Sequence, residues 1–175
     1  GRSTQGVLFG DENATAKTLG DEPYQFLSKH PEVTVVVAEK RVAGIEMLLN
    51  QKPHMQAVLL DDVLQHRWIK PQLQILTTTF QNPYSKDYLV PVGNLRERRK
   101  GAHRANIILV TKTHSDASRD AIESVRSSLG KAPHQNIYFC ATGYSDLVLG
   151  IKQEHLMDFE SDPFLLVTGI ANAAP

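Results

Sequence analysis

Met55-Gln-Ala-Val-Leu-Leu-Asp-Asp-Val-Leu-Gln-His-Arg67 is the stretch on which the reading of the fold turns. An apolar run that ends in two adjacent carboxylates reads as a buried strand delivering negative charge to its carboxyl end. In open α/β sheets, ligands bind outside the carboxyl ends of the strands. Asp61 and Asp62 there, followed by Gln65, His66 and Arg67, form a set able to hold a magnesium ion and orient an anionic substrate. The plainer alternative is a strand end running into a solvated turn, where aspartate is common in any case.

Outward from this stretch, strands and helices alternate. Val33-Thr-Val-Val-Val-Ala38 is β-branched and apolar on both faces, as a central parallel strand would be. Between the two runs, residues 39–51 set Val42, Ile45, Leu48 and Leu49 on one helical stripe. Upstream, residues 6–9 suggest a short strand, and Gly20-Asp-Glu-Pro23 opens a helix to about Lys29 with proline in its first turn. Downstream, residues 73–78, 107–110, 137–140, 147–149 and 164–167 read as strands. Residues 94–104 read as a basic helix. Residues 116–129 read as a helix with Ala121, Ile122, Val125 and Leu129 inward and Gly130 just past its end. This order predicts a single α/β domain over 1–175, with a mostly parallel sheet flanked by helices in three layers.

Nineteen basic and nineteen acidic side chains among 175 residues leave no formal net charge, which argues against a general nucleic-acid binder. One cysteine, Cys140, excludes an intramolecular disulfide. None of the seven histidines falls in an HExxH pair. No apolar run approaches the roughly 18 residues that span a bilayer, and no signal-peptide pattern opens the chain. The start without methionine, and an apolar run leading into Thr168-Gly-Ile-Ala-Asn172 near the end, suggest the middle portion of a longer chain.

Three further clusters carry chemistry. Asp21 and Glu22 stand at a helix start, where the dipole and unpaired N–H groups favour negative charge, so they are either ordinary first-turn residues or a base with its neighbour. Arg96, Arg99, Lys100 and His103 share a face if their segment is helical. Such a face suits a phosphate or an anionic membrane surface, and equally a solvated exterior. Arg96-Glu97, at the first turn, is the part that reads as internal. Thr111-Lys112 follows a strand directly and could contact a base or phosphate. The P-loop pattern GxxxxGK followed by Ser or Thr is absent, and Ala16-Lys17-Thr18 only imitates its tail.

Taken together and in order, Gly20-Asp-Glu-Pro23, Asp61-Asp-Val-Leu-Gln-His-Arg67, Gly93-Asn-Leu-Arg-Glu97, Val110-Thr-Lys112 and Thr168-Gly-Ile-Ala-Asn172 resemble the tetraacyldisaccharide 4'-kinase family of Gram-negative bacteria. The resemblance implies a P-loop NTPase-like fold in a membrane-associated kinase. Such an enzyme moves the γ-phosphoryl group of ATP, with Mg²⁺, onto the 4'-hydroxyl of a lipid A precursor disaccharide at the cytoplasmic face of the inner membrane. It further implies Asp21 as catalytic base with Glu22 beside it, and Asp61 and Asp62 at the metal. Gln65, His66, Arg67, Arg96 and Glu97 would then face substrate and phosphate, with Thr111 and Lys112 near the nucleotide. Val63 stands where that family usually has a small residue, and Asn94 where proline or arginine is usual. The family's P-loop and membrane helix lie upstream of the matching segment, and the histidine that pairs with its catalytic aspartate lies downstream. The isolated chain is therefore expected to fold without transferring phosphate. Two other readings stay open: a glycolipid- or protein-binding module without a P-loop, and a metal-dependent hydrolase using Asp61, Asp62 and His66.

Overall fold

The computed structural model describes residues 6–149 and 153–159. The expected strand at 164–167 and the Thr168–Asn172 block lie outside them. The order is β1 (Val7–Phe9), α1 (Ala16–Leu19), α2 (Asp21–Lys29), β2 (Val36–Ala38), α3 (Arg41–Gln51), β3 (Ile75–Thr79), β4 (Ile107–Thr111), α4 (Arg119–Ser128), β5 (Asn136–Phe139), β6 (Leu147–Leu149) and β7 (Gln153–His155), with 3₁₀ turns at Tyr84–Lys86, Arg99–Arg104 and Leu156–Phe159.

The parallel sheet β3-β4-β5 is the part expected from the apolar runs, with Ile75 opposite Ile107, Thr79 opposite Thr111 and Ile108 opposite Ile137. Alternation sorts its two faces. Ile108, Val110 and Ile137 are buried against Val125 and Leu129, with Phe80, Tyr84 and Phe139 at the margin. Helix α4 is amphipathic in the way the spacing of Val125 and Leu129 demands. The Ser118 side chain caps it by accepting from the Ala121 N–H at 3.2 Å, and Gly130 leaves it in the left-handed region at φ 56°. The opposite face, with Ile75 and Tyr138 more than half exposed, carries no helix among the described residues.

The amino ends of the three strands are clamped by polar side chains. Asn106 Oδ1 accepts from the Gln74 N–H at 2.8 Å. Gln135 is almost wholly buried, and its amide donates to the Ala102 and Ala105 carbonyls at 2.7 and 2.9 Å while accepting from the Ala132 N–H at 2.8 Å. At the far side of β3, the Tyr84 N–H donates to Thr78 Oγ1 and the Tyr84 hydroxyl to the Leu129 carbonyl, both at 2.8 Å.

Three expectations are corrected. Residues 33–38 do not make a central parallel strand: Val36–Ala38 pairs antiparallel with β1, Leu8 opposite Val37. β-branching specifies an extended backbone and burial, not the direction of the partner. A close helix contact accompanies this pair, because a Cβ on Gly44 of α3 would stand 2.7 Å from that of Ala38. Residues 55–60 form no strand. A strand exists only with a ladder partner, and no described segment offers one to this run. It lies extended beside α3 and β2, bordering a 430 Å³ cavity lined by Val36, Ile45, Leu48 and Leu60. Residues 94–104 are not one helix either. The backbone is extended at Arg98 and turns into 3₁₀ only at Arg99, so the shared face of Arg96, Arg99, Lys100 and His103 is not formed. That segment has no apolar stripe with which to dock as a helix, and its interior Gly101 disfavours one by about 1 kcal/mol.

Replacing Gln135 by leucine would strand the buried Ala105 carbonyl and the Ala132 N–H and leave the Ala102 carbonyl with only the Ala105 N–H. Urea unfolding is expected to show a loss of about 2–4 kcal/mol; a change under about 0.5 kcal/mol would mean that the clamp is not holding the strand ends.

Candidate functional site

The connection from β3 to β4, residues 80–106, is long for a segment with so little regular structure, and such loops commonly carry function. Its shape is set by Asp87. The Asp87 carboxylate accepts from the Tyr88 N–H at 2.7 Å, from the Asn94 N–H at 3.2 and 3.3 Å and from Asn94 Nδ2 at 3.3 Å. These donors, the Tyr88 N–H foremost, hold the Asp87 carboxyl below the usual carboxylate range. Its carbonyl accepts from Arg99 Nε and Nη2 at 2.9 and 2.6 Å. Between these bonds the chain doubles back, Val90 N–H to the Leu95 carbonyl at 3.0 Å and Leu95 N–H to the Tyr88 carbonyl at 2.9 Å. Gly93 has to be glycine here, since a Cβ would lie 2.3 Å from both Asp87 Oδ1 and the Tyr88 carbonyl oxygen.

This turn presents Arg96 and Glu97 to the acid block. The Arg96 guanidinium grips both carboxylate oxygens of Asp62, Nη1 to Oδ2 at 2.8 Å and Nη2 to Oδ1. Asp62 sits in the left-handed region at φ 50°, which aspartate tolerates better than most residues and which reverses the chain where the apolar run ends. Its carboxyl is held below the ordinary range, first by the hydrogen bond from Arg96, with smaller help from Gln65 and the charge of Arg41. Gln65 Nε2 also donates to the Asp62 carbonyl at 3.3 Å. Alongside, Arg104 Nη2 donates to both Glu97 carboxylate oxygens, at 2.6 and 2.8 Å, and to the Leu64 carbonyl at 2.8 Å. Gly101 makes room for this: a Cβ there would stand 2.5 Å from Glu97 Oε1.

The result is an open cleft of 890 Å³. Asp61, Asp62, Gln65, Arg96 and Glu97 line one side, and Val58, Leu60, Ile75 and Leu76 supply an apolar wall. The other candidates stand elsewhere. Asp21 and Glu22 occupy the first turn of α2, exposed and without a side-chain partner among the described residues. His66 and Arg67 lie in the turn beyond Gln65, His66 half-buried and Arg67 exposed, and neither lines the cleft. Thr111 and Lys112 are at the carboxyl end of β4, where Thr111 Oγ1 donates to the Thr78 carbonyl at 3.2 Å and Lys112 turns the chain at φ 53°.

Among the described residues no group of three or more His, Cys, Asp or Glu side chains could hold a metal ion, so the hydrolase set Asp61, Asp62 and His66 is not assembled. Mg²⁺ asks for less, ordinarily one or two carboxylates with water and substrate phosphate completing its shell. Asp61 and Asp62 offer carboxylates of that kind at the cleft, although both Asp62 oxygens accept from Arg96 in this structure. Sequence reading missed Asp87, Arg104 and Arg41. Asp87 has no motif to announce it, and Arg104 figured only as the last residue of the expected basic helix.

The family model for tetraacyldisaccharide-1-P 4'-kinase matches residues 1–175. Curated relatives named tetraacyldisaccharide 4'-kinase include one from Flavobacterium johnsoniae, 40% identical over 99% of this chain and 52% of its own length. Another, from Bacteroides thetaiotaomicron, is 38% identical over 99% of this chain and 49% of its own. A third, from Porphyromonas gingivalis, is 32% identical over 98% and 48%. The chain thus spans about half the length of the curated relatives it matches. No solved structure gives a significant match.

The Asp62–Arg96 pair has a definite pH signature. Because the Asp62 carboxyl lies below its ordinary value of 3.8 in the folded chain, its stabilisation is complete above that value and vanishes as pH falls through the lowered one. Both side chains are about half exposed, which limits the pair to roughly 1 kcal/mol or less. Asp62→Asn should therefore unfold slightly earlier than the parent in urea at about pH 7, and the deficit should shrink as pH is taken further below 3.8; a deficit that persists unchanged in acid would contradict the pairing.

Proposed function

The chain belongs to the tetraacyldisaccharide-1-P 4'-kinase family, and from that premise we propose that its cleft serves ATP-dependent phosphoryl transfer to the 4'-hydroxyl of a tetraacyldisaccharide 1-phosphate, a lipid A precursor. The observation that carries this reading is the meeting of the acid block with Arg96-Glu97 in one cleft that also has apolar side chains in its lining. Phosphoryl transfer depends on charge neutralisation and alignment more than on covalent chemistry.

In this reading Asp61 and Asp62 hold Mg²⁺, which when bound neutralises charge on the phosphates. Arg96, forked onto Asp62, would stand beside that ion's place to meet a phosphate oxygen, so that the pair would act together. Gln65 orients the anionic part of the substrate; His66 and Arg67, which do not line the cleft, keep that role only as the family resemblance implies it, and Glu97, fixed by Arg104, keeps the wall in place. Asp21, with Glu22 beside it, is outside the cleft lining, and its role as the base that takes the proton of the 4'-hydroxyl rests on the family resemblance alone. Thr111 and Lys112, outside a strand's carboxyl end, suit contact with the nucleotide. A P-loop NTPase-like, three-layer architecture belongs to this proposal too, with the ATP phosphate cradle assigned to the part of the relatives' length that this chain does not span. The activity is placed at the cytoplasmic face of a bacterial inner membrane. Among the described residues no helix is long and apolar enough to cross a membrane.

In a protein of the relatives' full length, Asp21→Ala is expected to lower kcat by at least about a hundredfold, the usual scale for a lost general base. Near-normal turnover would remove Asp21 from the mechanism.

A further inference from the structure

Residues 88–92, Tyr88-Leu-Val-Pro-Val92, form the tip of the turn pinned by Asp87, and they are exposed in one consecutive run. Tyr88 is 63% exposed, Leu89 42%, Val90 58% and Val92 82%. None of them lines either cavity described above. Isolated exposed apolar residues are ordinary, but consecutive ones at a turn tip mark a contact surface.

The charges around the tip show what it contacts. Residues 84–104 hold six Lys or Arg side chains and two acids, in a chain that is balanced as a whole. Both acids are folded inward, Asp87 onto backbone N–H groups and Glu97 onto Arg104. Lys86, Arg98 and Lys100 are exposed and have no ion pair among the described residues. The Arg99 guanidinium lies 5.3 Å from the centre of the Tyr88 ring. An apolar tip inside a collar of unpaired cations with an amphipathic aromatic at the boundary is the pattern of an interfacial lipid anchor. The core of a protein–protein interface, by contrast, is depleted in lysine.

We infer that residues 88–92 dip into an anionic lipid surface, with Lys86, Arg98 and Lys100 resting on its headgroups. The bonds of Asp87 hold the turn in shape beforehand, so little entropy is lost on docking. The contact sets the orientation of the cleft, because Arg96 and Glu97 leave the same turn on its other side. It stands whether or not the kinase reading holds.

The test uses a full-length protein freed of native cysteines, with Val92→Cys carrying an environment-sensitive dye. Vesicles containing phosphatidylglycerol should shift the dye emission to the blue, and pure phosphatidylcholine vesicles should shift it far less. Arg98→Gln with Lys100→Gln should weaken the apparent vesicle affinity roughly tenfold. A dye unmoved by anionic vesicles overturns the inference. So does one already blue without vesicles, which means that protein covers the tip, or an affinity indifferent to the two cations.

Discussion

The fork between the Arg96 guanidinium and the Asp62 carboxylate is the constraint on which the cleft depends. It joins segments 34 residues apart, and neither is held in regular secondary structure at the point of contact. As a half-exposed pair it adds little to stability, yet it decides geometry: without it, among the described residues, the side-chain hydrogen bonds left between the acid block and the Arg96-Glu97 turn are those of Arg104 to Glu97 and the Leu64 carbonyl.

One loop performs two tasks through one carboxylate. Asp87 binds the N–H groups at both ends of the turn, and its carbonyl ties down Arg99. Arg96 and Glu97 consequently face the cleft while Tyr88 and Val92 face outward. Gly93 and Gly101 are the two positions where a side chain would break this arrangement, one against Asp87 and the other against Glu97. Local turn chemistry, rather than sheet or helix propensity, thus positions the functional groups.

What could be read in the sequence follows from the kind of information each element needs. Strands β3, β4 and β5 and helix α4 were legible because apolar periodicity and the serine and glycine at the helix ends specify them locally. Residues 55–60 were not, because their apolarity states a demand for burial without naming a ladder partner. The direction of β2 was hidden for the same reason. The segment 94–104 misled because charges at three- and four-residue spacing imitate a helix face, whereas bonds from Asp87, outside the window, set its backbone. Asp62 and Arg96 were visible as candidates; that they choose each other depends on two turns folding first, and no spacing rule encodes that.

The account's central claim is that Asp62 and Arg96 act as one unit in turnover, and a double-mutant cycle measures this directly. With kcat/KM of a full-length protein as the readout, Asp62→Asn, Arg96→Gln and the combination would be compared under saturating magnesium. The account predicts strong non-additivity, the double variant losing little more than the worse single one, with a coupling of at least about 1 kcal/mol. Losses that simply add would show that the two side chains serve separate ends and that the cleft they line is not the working site.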